Sequence, residues 1–186
     1  MVNLYQRMRD HSRAVHLPDG TTIYLRPLRD SDLEHANEFF AALSERTRYM
    51  RFMAPMPRLT PETLAGLIRA MHESRSAVVV AVFEHVDRTE ELIGGGRIVP
   101  AGRKGTCEFA ITIVDRWQGH GVGGVLMREV IRRARLLGYR RIEGYVLNVN
   151  SGMLAVAQHA RMKLRVDPDD PGVITVYRAL YPFVRG

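Results

Sequence analysis

Hydrophobic and polar positions change period several times along this chain, and each change marks an element. Residues 21–28 ("TTIYLRPL") alternate apolar and polar after the turn signal "PDG", which predicts a half-buried strand. A helical period follows. Leu33, Ala36, Phe39, Phe40 and Leu43 make one stripe, with Asp30 or Ser31 placed to cap it. "LTPETLAGLIRAM" predicts another helix, with Thr60 at the N-cap and Pro61 at the first helical position. Three strand-like runs come next. "SAVVVAVFEH" is continuously apolar and predicts a strand buried on both faces, "ELIGGGRIVPA" carries a glycine run, and "GTCEFAITIV" is the third. A long helix is predicted over "GHGVGGVLMREVIRRARLLG". Its stripe is Val122, Val125, Leu126, Val130, Ala134 and Leu137, and Gly138 ends it. The strand "RRIEGYVLNVN", the short helix "NSGMLAVAQHARMKL" capped by Asn150 or Ser151, and the strand "GVITVYRAL" complete the pattern.

Three consecutive strands without a helix between them predict an antiparallel meander. The later strand–helix–strand unit predicts a parallel pair with a crossover. The fold class is therefore α/β, of the α+β mixed-sheet kind: a mostly antiparallel central sheet with one parallel pair, flanked by helices. At 186 residues, a single domain spanning 1–186 is expected, with residues 1–20 as an N-terminal extension.

Composition changes the picture mainly by exclusion. The chain is 46% hydrophobic and 25% charged, ordinary values for a globular protein. No apolar run approaches the roughly 18–20 residues of a membrane span. The N-terminus "MVNLYQRMRDHSR" lacks the apolar core of a signal peptide, so a cytoplasmic location is expected. The single cysteine, Cys107, excludes an internal disulfide, no H-E-x-x-H occurs, and no metal site is expected. The net charge of +7 suits an anionic ligand, but Lys104 and Lys163 are the only lysines, so the excess reads as an arginine bias. No basic tail or aromatic-interleaved patch points to nucleic acid.

The candidate chemistry lies in "DRWQGHGVGGVLM", residues 115–127. Gly119, Gly121, Gly123 and Gly124 stand between a predicted strand and the long helix. Tight turning, exposed N–H groups and the helix dipole would converge on one spot, which favours a pyrophosphate. Two patterns fit. Gly119, Gly121 and Gly124 read as the G-x-G-x-x-G of dinucleotide-binding folds; Gln118, Gly121 and Gly123 read as Q-x-x-G-x-G. The first pattern needs its glycine directly off the strand that opens the domain. Here Asp115, Arg116, Trp117 and Gln118 intervene, deep in the chain, and Glu143, at the spacing of a ribose-binding acid, is followed by "YVL" within its strand. No G-K-[ST] follows, which excludes a P-loop.

The segment "CEFAITIVDRWQGHGVGGVLMREVIRRARLLGYRRI" resembles the central motif of the GNAT superfamily of N-acetyltransferases, with Gln118, Gly121 and Gly123 in register. "VLNVNSGMLAVAQHARMKL" resembles that family's next motif, and the likeness extends over residues 21–180. "LSERTRYMRFMAPMPRLTPETLAGL" is similar to the GNAT domains of bacterial Pat-type protein-lysine acetyltransferases, through Ser44, Tyr49, Arg51 and Phe52, with Thr47 in place of a second serine. The resemblance implies a GNAT fold whose parallel pair is splayed for CoA. It also implies acetyl transfer from acetyl-CoA to an amine, with a protein lysine as acceptor, an acyl-CoA synthetase among the candidates. A small amine, or an idle acyl-CoA-sensing module, is the alternative. A monomer or homodimer is expected.

Glu108 matches the family's general base, and its apolar neighbours would raise its pKa. Backbone groups of Ile111, Thr112 and Ile113 would bind the pantetheine arm, one N–H polarising the thioester carbonyl. Gln118, Gly119, His120, Gly121, Val122, Gly123 and Gly124 would hold the pyrophosphate, and Asn150 the pantetheine. The tyrosine that many GNAT enzymes use to protonate the leaving thiolate is replaced by Ala157. Cys107 alternates with Glu108 and reads as a core residue, and Tyr139 and Tyr145 read as structural.

Overall fold

The computed structural model describes residues 12–181. Their strands are β1 (Arg13–His16), β2 (Thr22–Pro27), β3 (Ala77–Glu84), β4 (Glu90–Pro100), β5 (Thr106–Ile113), β6 (Arg141–Leu147), β7 (Lys163–Val166) and β8 (Val173–Ala179). The α-helices are α1 (Ala36–Ala41), α2 (Glu45–Phe52), α3 (Pro61–His72), α4 (Val122–Leu136) and α5 (Ser151–His159), with 3-10 turns at Asp30–His35 and Asp115–Trp117. One sheet runs β1-β2-β3-β4-β5-β6-β8-β7. All neighbours are antiparallel except β5 and β6. The meander β3-β4-β5 and the β5-α4-β6 crossover are the two units predicted from the strand order.

Strand alternation sorts the sheet into two faces. Val79, Ala81, Ile98, Cys107 and Phe109 point to the core under α4, whose whole predicted stripe is buried there. A Cβ on Gly96 would lie 2.7 Å from Val130 Cγ2, and one on Gly94 3.0 Å from Leu126 Cδ1, so these glycines let α4 press onto β4. The other face is covered over β3–β5 by α1–α3, around a smaller cluster of Phe40, Leu43 and Val114. Thr60 caps α3 as predicted, its Oγ1 accepting from Thr63 N–H at 3.2 Å.

Three local features differ from the hydrophobic reading. The helix expected from residue 30 begins as a 3-10 turn, capped by neither Asp30 nor Ser31. Asp32 takes that role: it accepts from Arg29 N–H at 2.7 Å and from both Nη atoms of Arg26, at 2.6 and 2.8 Å. The short helix ends at His159 rather than running to Leu164, and Lys163–Val166 forms an exposed edge strand. Within the N-terminal extension, Arg13–His16 adds the opposite edge strand and Leu17 enters the core; the first eleven residues lie outside the described ones.

The β5/β6 pair sets up everything that follows. It has only three residue pairs, Thr106↔Arg141, Cys107↔Ile142 and Glu108↔Glu143, after which the strands part. At the apex, the Phe109 ring fills the place of a side chain on Gly144: a Cβ there would stand 2.6 Å from Phe109 Cε1. Gly144→Ala is expected to destabilise the fold by about 1–3 kcal/mol through overpacking, as read by urea denaturation. Adding Phe109→Leu should recover part of the loss; a wild-type midpoint for Gly144→Ala would contradict this packing.

Candidate active site

The parted strands open a cleft of about 860 Å³, from the glycine turn at one end to Glu108 at the other. Its size is that of a small-molecule site. Along β5, Val114 N–H bonds back to Ile93 C=O. By alternation, Thr112 directs its backbone groups to β4, while Ile111 and Ile113 direct theirs into the splay. The Ile113 carbonyl is taken there by Gln118 Nε2 at 3.1 Å. Ile111 is thus the residue of this trio whose N–H and C=O face the opening without a strand to pair with.

The glycine turn is built for an anion. Gly119 and Gly121 have φ of +82° and +91°, a left-handed backbone that glycine adopts without strain. Gly121 stands at the N-cap of α4 with no side-chain cap, and the first helical bond there runs from Val125 N–H to Gly121 C=O. The N–H groups of Val122, Gly123 and Gly124 are therefore the orphan donors of a helix start. Gly123 also needs its bareness for packing, since a Cβ would lie 3.1 Å from Ile113 Cδ1 and 3.2 Å from Val156 Cγ2. The Val122 side chain is buried in the core, and Val122 is not among the cleft-lining residues.

His120 points away from the cleft, and Gln118 lines it with its amide already engaged. His120 Nδ1 meets Asp19 Oδ2 at 3.0 Å, its ring stands edge-on to Trp117, and Asp19 is held down at about 2 by that bond and by Thr21. The turn at residues 17–20 thus braces the outside of the glycine loop. Gln118 Nε2 donates to Thr47 Oγ1 at 3.0 Å as well as to Ile113. Thr47 Oγ1, Ser44 Oγ and Ser44 N–H in turn donate to Asp115, at 2.8, 2.6 and 2.7 Å. Burial works against the Asp115 charge, yet these donors hold its pKa below the usual value.

This clasp explains the spacing of Ser44 and Thr47, and it fixes α2, which has no buried residue of its own, as one wall of the cleft. Asp115→Ala is expected to cost about 1 kcal/mol of stability and to raise KM for acetyl-CoA more than it lowers kcat. An unchanged KM would show that α2 is held by other means.

At the far end, Glu108 is half-buried on β5, beside Tyr145 of β6. Burial, then the charges of Glu143 and Glu108, raise the Tyr145 pKa, so its phenol stays protonated. Tyr145, expected to be structural, lines the cleft; the detectable signal is its position two residues along the strand from Glu143, on the Glu108 face. Tyr139 is structural, buried with its hydroxyl on Arg75 C=O at 2.7 Å. Cys107 faces the core, burial pushing its thiol up to about 12, so it is no nucleophile at neutral pH. Glu143 is 2% exposed and accepts from Arg103 at 2.7 Å and Arg141 at 3.0 Å, an ion-pair role rather than a ribose contact. Asn150 caps α5 through Oδ1, which accepts from Met153 N–H at 3.1 Å, while lining the cleft. Ala157 is fully buried. Among the described residues, no group of His, Cys, Asp or Glu could hold a metal ion, and no helix is long and apolar enough to cross a membrane.

A cleft between splayed parallel strands, with a bare helix start at one end and a carboxylate at the other, suits a phosphorylated carrier of a reactive group. Residues 22–163 match the model of the acetyltransferase (GNAT) domain, and the chain belongs to that family. It is an acyltransferase, and the family uses acetyl-CoA.

The chain is 33% identical over 154 residues to acetyltransferase PA5475 of Pseudomonas aeruginosa, covering 83% of this chain and 82% of that one. It is 29% identical over 140 residues to acetyltransferase Pat of Mycolicibacterium smegmatis, covering 75% of this chain but only 40% of Pat. Among solved structures, the GNAT domain of S. lividans PAT superposes with a TM-score of 0.78 at 27% identity, over 91% of this chain and 97% of that one. A phosphinothricin acetyltransferase from Sinorhizobium meliloti in complex with AcCoA shares the fold, with a TM-score of 0.66 at 18% identity, over 84% and 87% of the two chains.

Proposed function

We propose that this protein transfers acetyl from acetyl-CoA to a lysine side chain of another protein, with Glu108 as general base. The observation that carries this reading is the placement of Glu108 at the end of the cleft opposite the glycine turn, where β5 and β6 part. The orphan N–H groups of Val122, Gly123 and Gly124 receive the pyrophosphate of CoA. Ile111, facing the splay, pairs with the pantetheine, and its N–H faces the thioester oxygen. Thr112, turned to β4, supports that strand, and Gln118 positions the turn through Ile113 and Thr47. Asn150 meets the pantetheine from the start of α5.

The thioester supplies an acyl carbon open to attack by an amine. An incoming lysine arrives as an ammonium, which has no free lone pair, and Glu108 takes its proton. With position 157 an alanine, the protonated phenol of Tyr145 is the donor for the departing sulfur. The likeness to Pat and to the GNAT domain of PAT supports a protein acceptor. Labelled acetyl-CoA incubated with candidate proteins, acyl-CoA synthetases first, and in parallel with small amines, tests it. Label in protein lysines is the expected result; label confined to small amines would replace the acceptor, and no transfer to either would favour an acyl-CoA-sensing module.

A further inference from the structure

Acetyl transfer as described leaves the centre of the β4 glycine run and two arginines without a role. On the sheet face opposite α4, a second cavity of about 140 Å³ lies between α1–α3 and β3–β5. Its walls are mainly apolar, with Leu33, Phe39, Leu67 and Val80 among them, and Asp32 is a lining residue too. Gly95 belongs to its floor. Gly94 and Gly96 are bare because α4 presses on them, but a Cβ on Gly95 would meet only Val79 C=O, at 3.8 Å. Helix packing therefore does not demand this glycine, which leaves open volume in the cavity.

Two arginines line the same space, Arg51 from α2 and Arg97 from β4. Neither forms an ion pair or a hydrogen bond among the described residues; Arg51 stacks on the Phe52 ring at 4.9 Å. Burial, and then the charge of Arg97, pull the Arg51 pKa down to about 10, with Glu108 opposing. Asp32, which also lines the cavity, is taken up by Arg26, and Glu108 acts on Arg51 only through its charge, so neither arginine has a carboxylate bonded to it and a bound anion would offset their desolvation cost. This cavity meets the donor cleft at Arg51, Phe52, Ala110 and Thr112, which line both, just past Glu108 on β5.

We propose that this cavity is a carboxylate-binding subsite of the transfer centre, for a short apolar stem that ends in a carboxylate. The carboxylate lies between Arg51 and Arg97 and the stem crosses Gly95, an arrangement guanidinium forks recognise well. Such a group has two sources: the far end of a dicarboxylic acyl chain carried on CoA, or the carboxylate of an amino-acid-like acceptor. The proposal rests on reading the adjoining cleft as the acyl-transfer site.

Two arms separate the sources in wild type, Arg97→Gln and Gly95→Val. The donor arm compares succinyl-CoA with butyryl-CoA, of equal length but uncharged, by kcat/KM and by the rise in melting temperature, which needs no turnover. The acceptor arm compares leucine with leucinamide under acetyl-CoA. Wild type is expected to favour the carboxylate probe by at least about 10-fold in one arm, and that arm names the source. Both variants should lose the preference, while Arg97→Lys keeps part of it. No preference in either arm, or one that survives Arg97→Gln, overturns the subsite. Acetyl-CoA binding and dependence on Glu108 are read separately, so the subsite can fail while the acetyl-transfer reading stands.

Discussion

Glu108→Gln is expected to lower kcat/KM by about 10²–10⁴-fold while leaving acetyl-CoA binding unchanged. Glutamine keeps the shape of the side chain, and the backbone pairing of residue 108 with Val99 and Glu143 is untouched. The amide has no basic oxygen to take a proton from an ammonium. The deficit should therefore shrink as the pH approaches the amine's own pKa, about 10.4 for a lysine, because the acceptor then arrives already deprotonated. A pH profile of kcat/KM for both forms, with acetyl-CoA affinity measured alongside, reads all three points. Equal activity of the two forms at neutral pH would remove Glu108 as the base.

The second large effect concerns stability. Glu129 on α4 is 2% exposed and accepts from Arg132 Nε and Nη2 at 2.8 and 2.6 Å and from Arg133 Nε at 2.7 Å. Arg13 Nη2 stands 3.6 Å away. Burial alone would raise its pKa, but the bonds from Arg132 and the charge of Arg133 hold it down at about 2. Glu129→Gln deprives the buried Arg133 of its carboxylate and should cost about 3–5 kcal/mol, measured by urea denaturation near neutral pH.

The pH dependence follows from the sign of the shift. Folding depresses this carboxyl, so the unfolded chain binds more protons between the two pKa values. The contribution is complete above the ordinary value of 4.5 and is lost as pH falls toward about 2. Wild type should lose stability across that window more steeply than the variant. A loss under about 1 kcal/mol at neutral pH, the scale of an exposed ion pair, would contradict this account of α4.

The elements that a hydrophobic period can mark were the legible ones. The stripe of α4, the double-faced burial of β3 and the caps Thr60 and Asn150 are all decided by local chemistry. Elements held mainly by distant partners left no period to read. The α2 helix has no fully buried residue and is fixed by Asp115 and by Phe52 against Phe40, and β7 is exposed along its length.

The site divides in the same way. The glycines within 119–124 and Glu108 were visible as residue types, and their alignment along one cleft depends on the parting of β5 and β6 after Glu108, where the Phe109 ring packs on Gly144. Side-chain direction was not visible. Nothing local shows that His120 turns to Asp19, that Gln118 reaches Thr47, or that Tyr145 shares the Glu108 end of the cleft.

The claim on which the rest depends is that this cleft holds CoA, with its pyrophosphate on the bare start of α4. Thermal melting of the wild-type protein with acetyl-CoA, CoA and NAD tests it most directly. At 100 times Kd, a ligand specific for the folded state adds about 2.7 kcal/mol, a shift well resolved in a melt. The account predicts that acetyl-CoA and CoA raise Tm and that NAD does not. A melting temperature unmoved by acetyl-CoA, or raised by NAD alone, would contradict it.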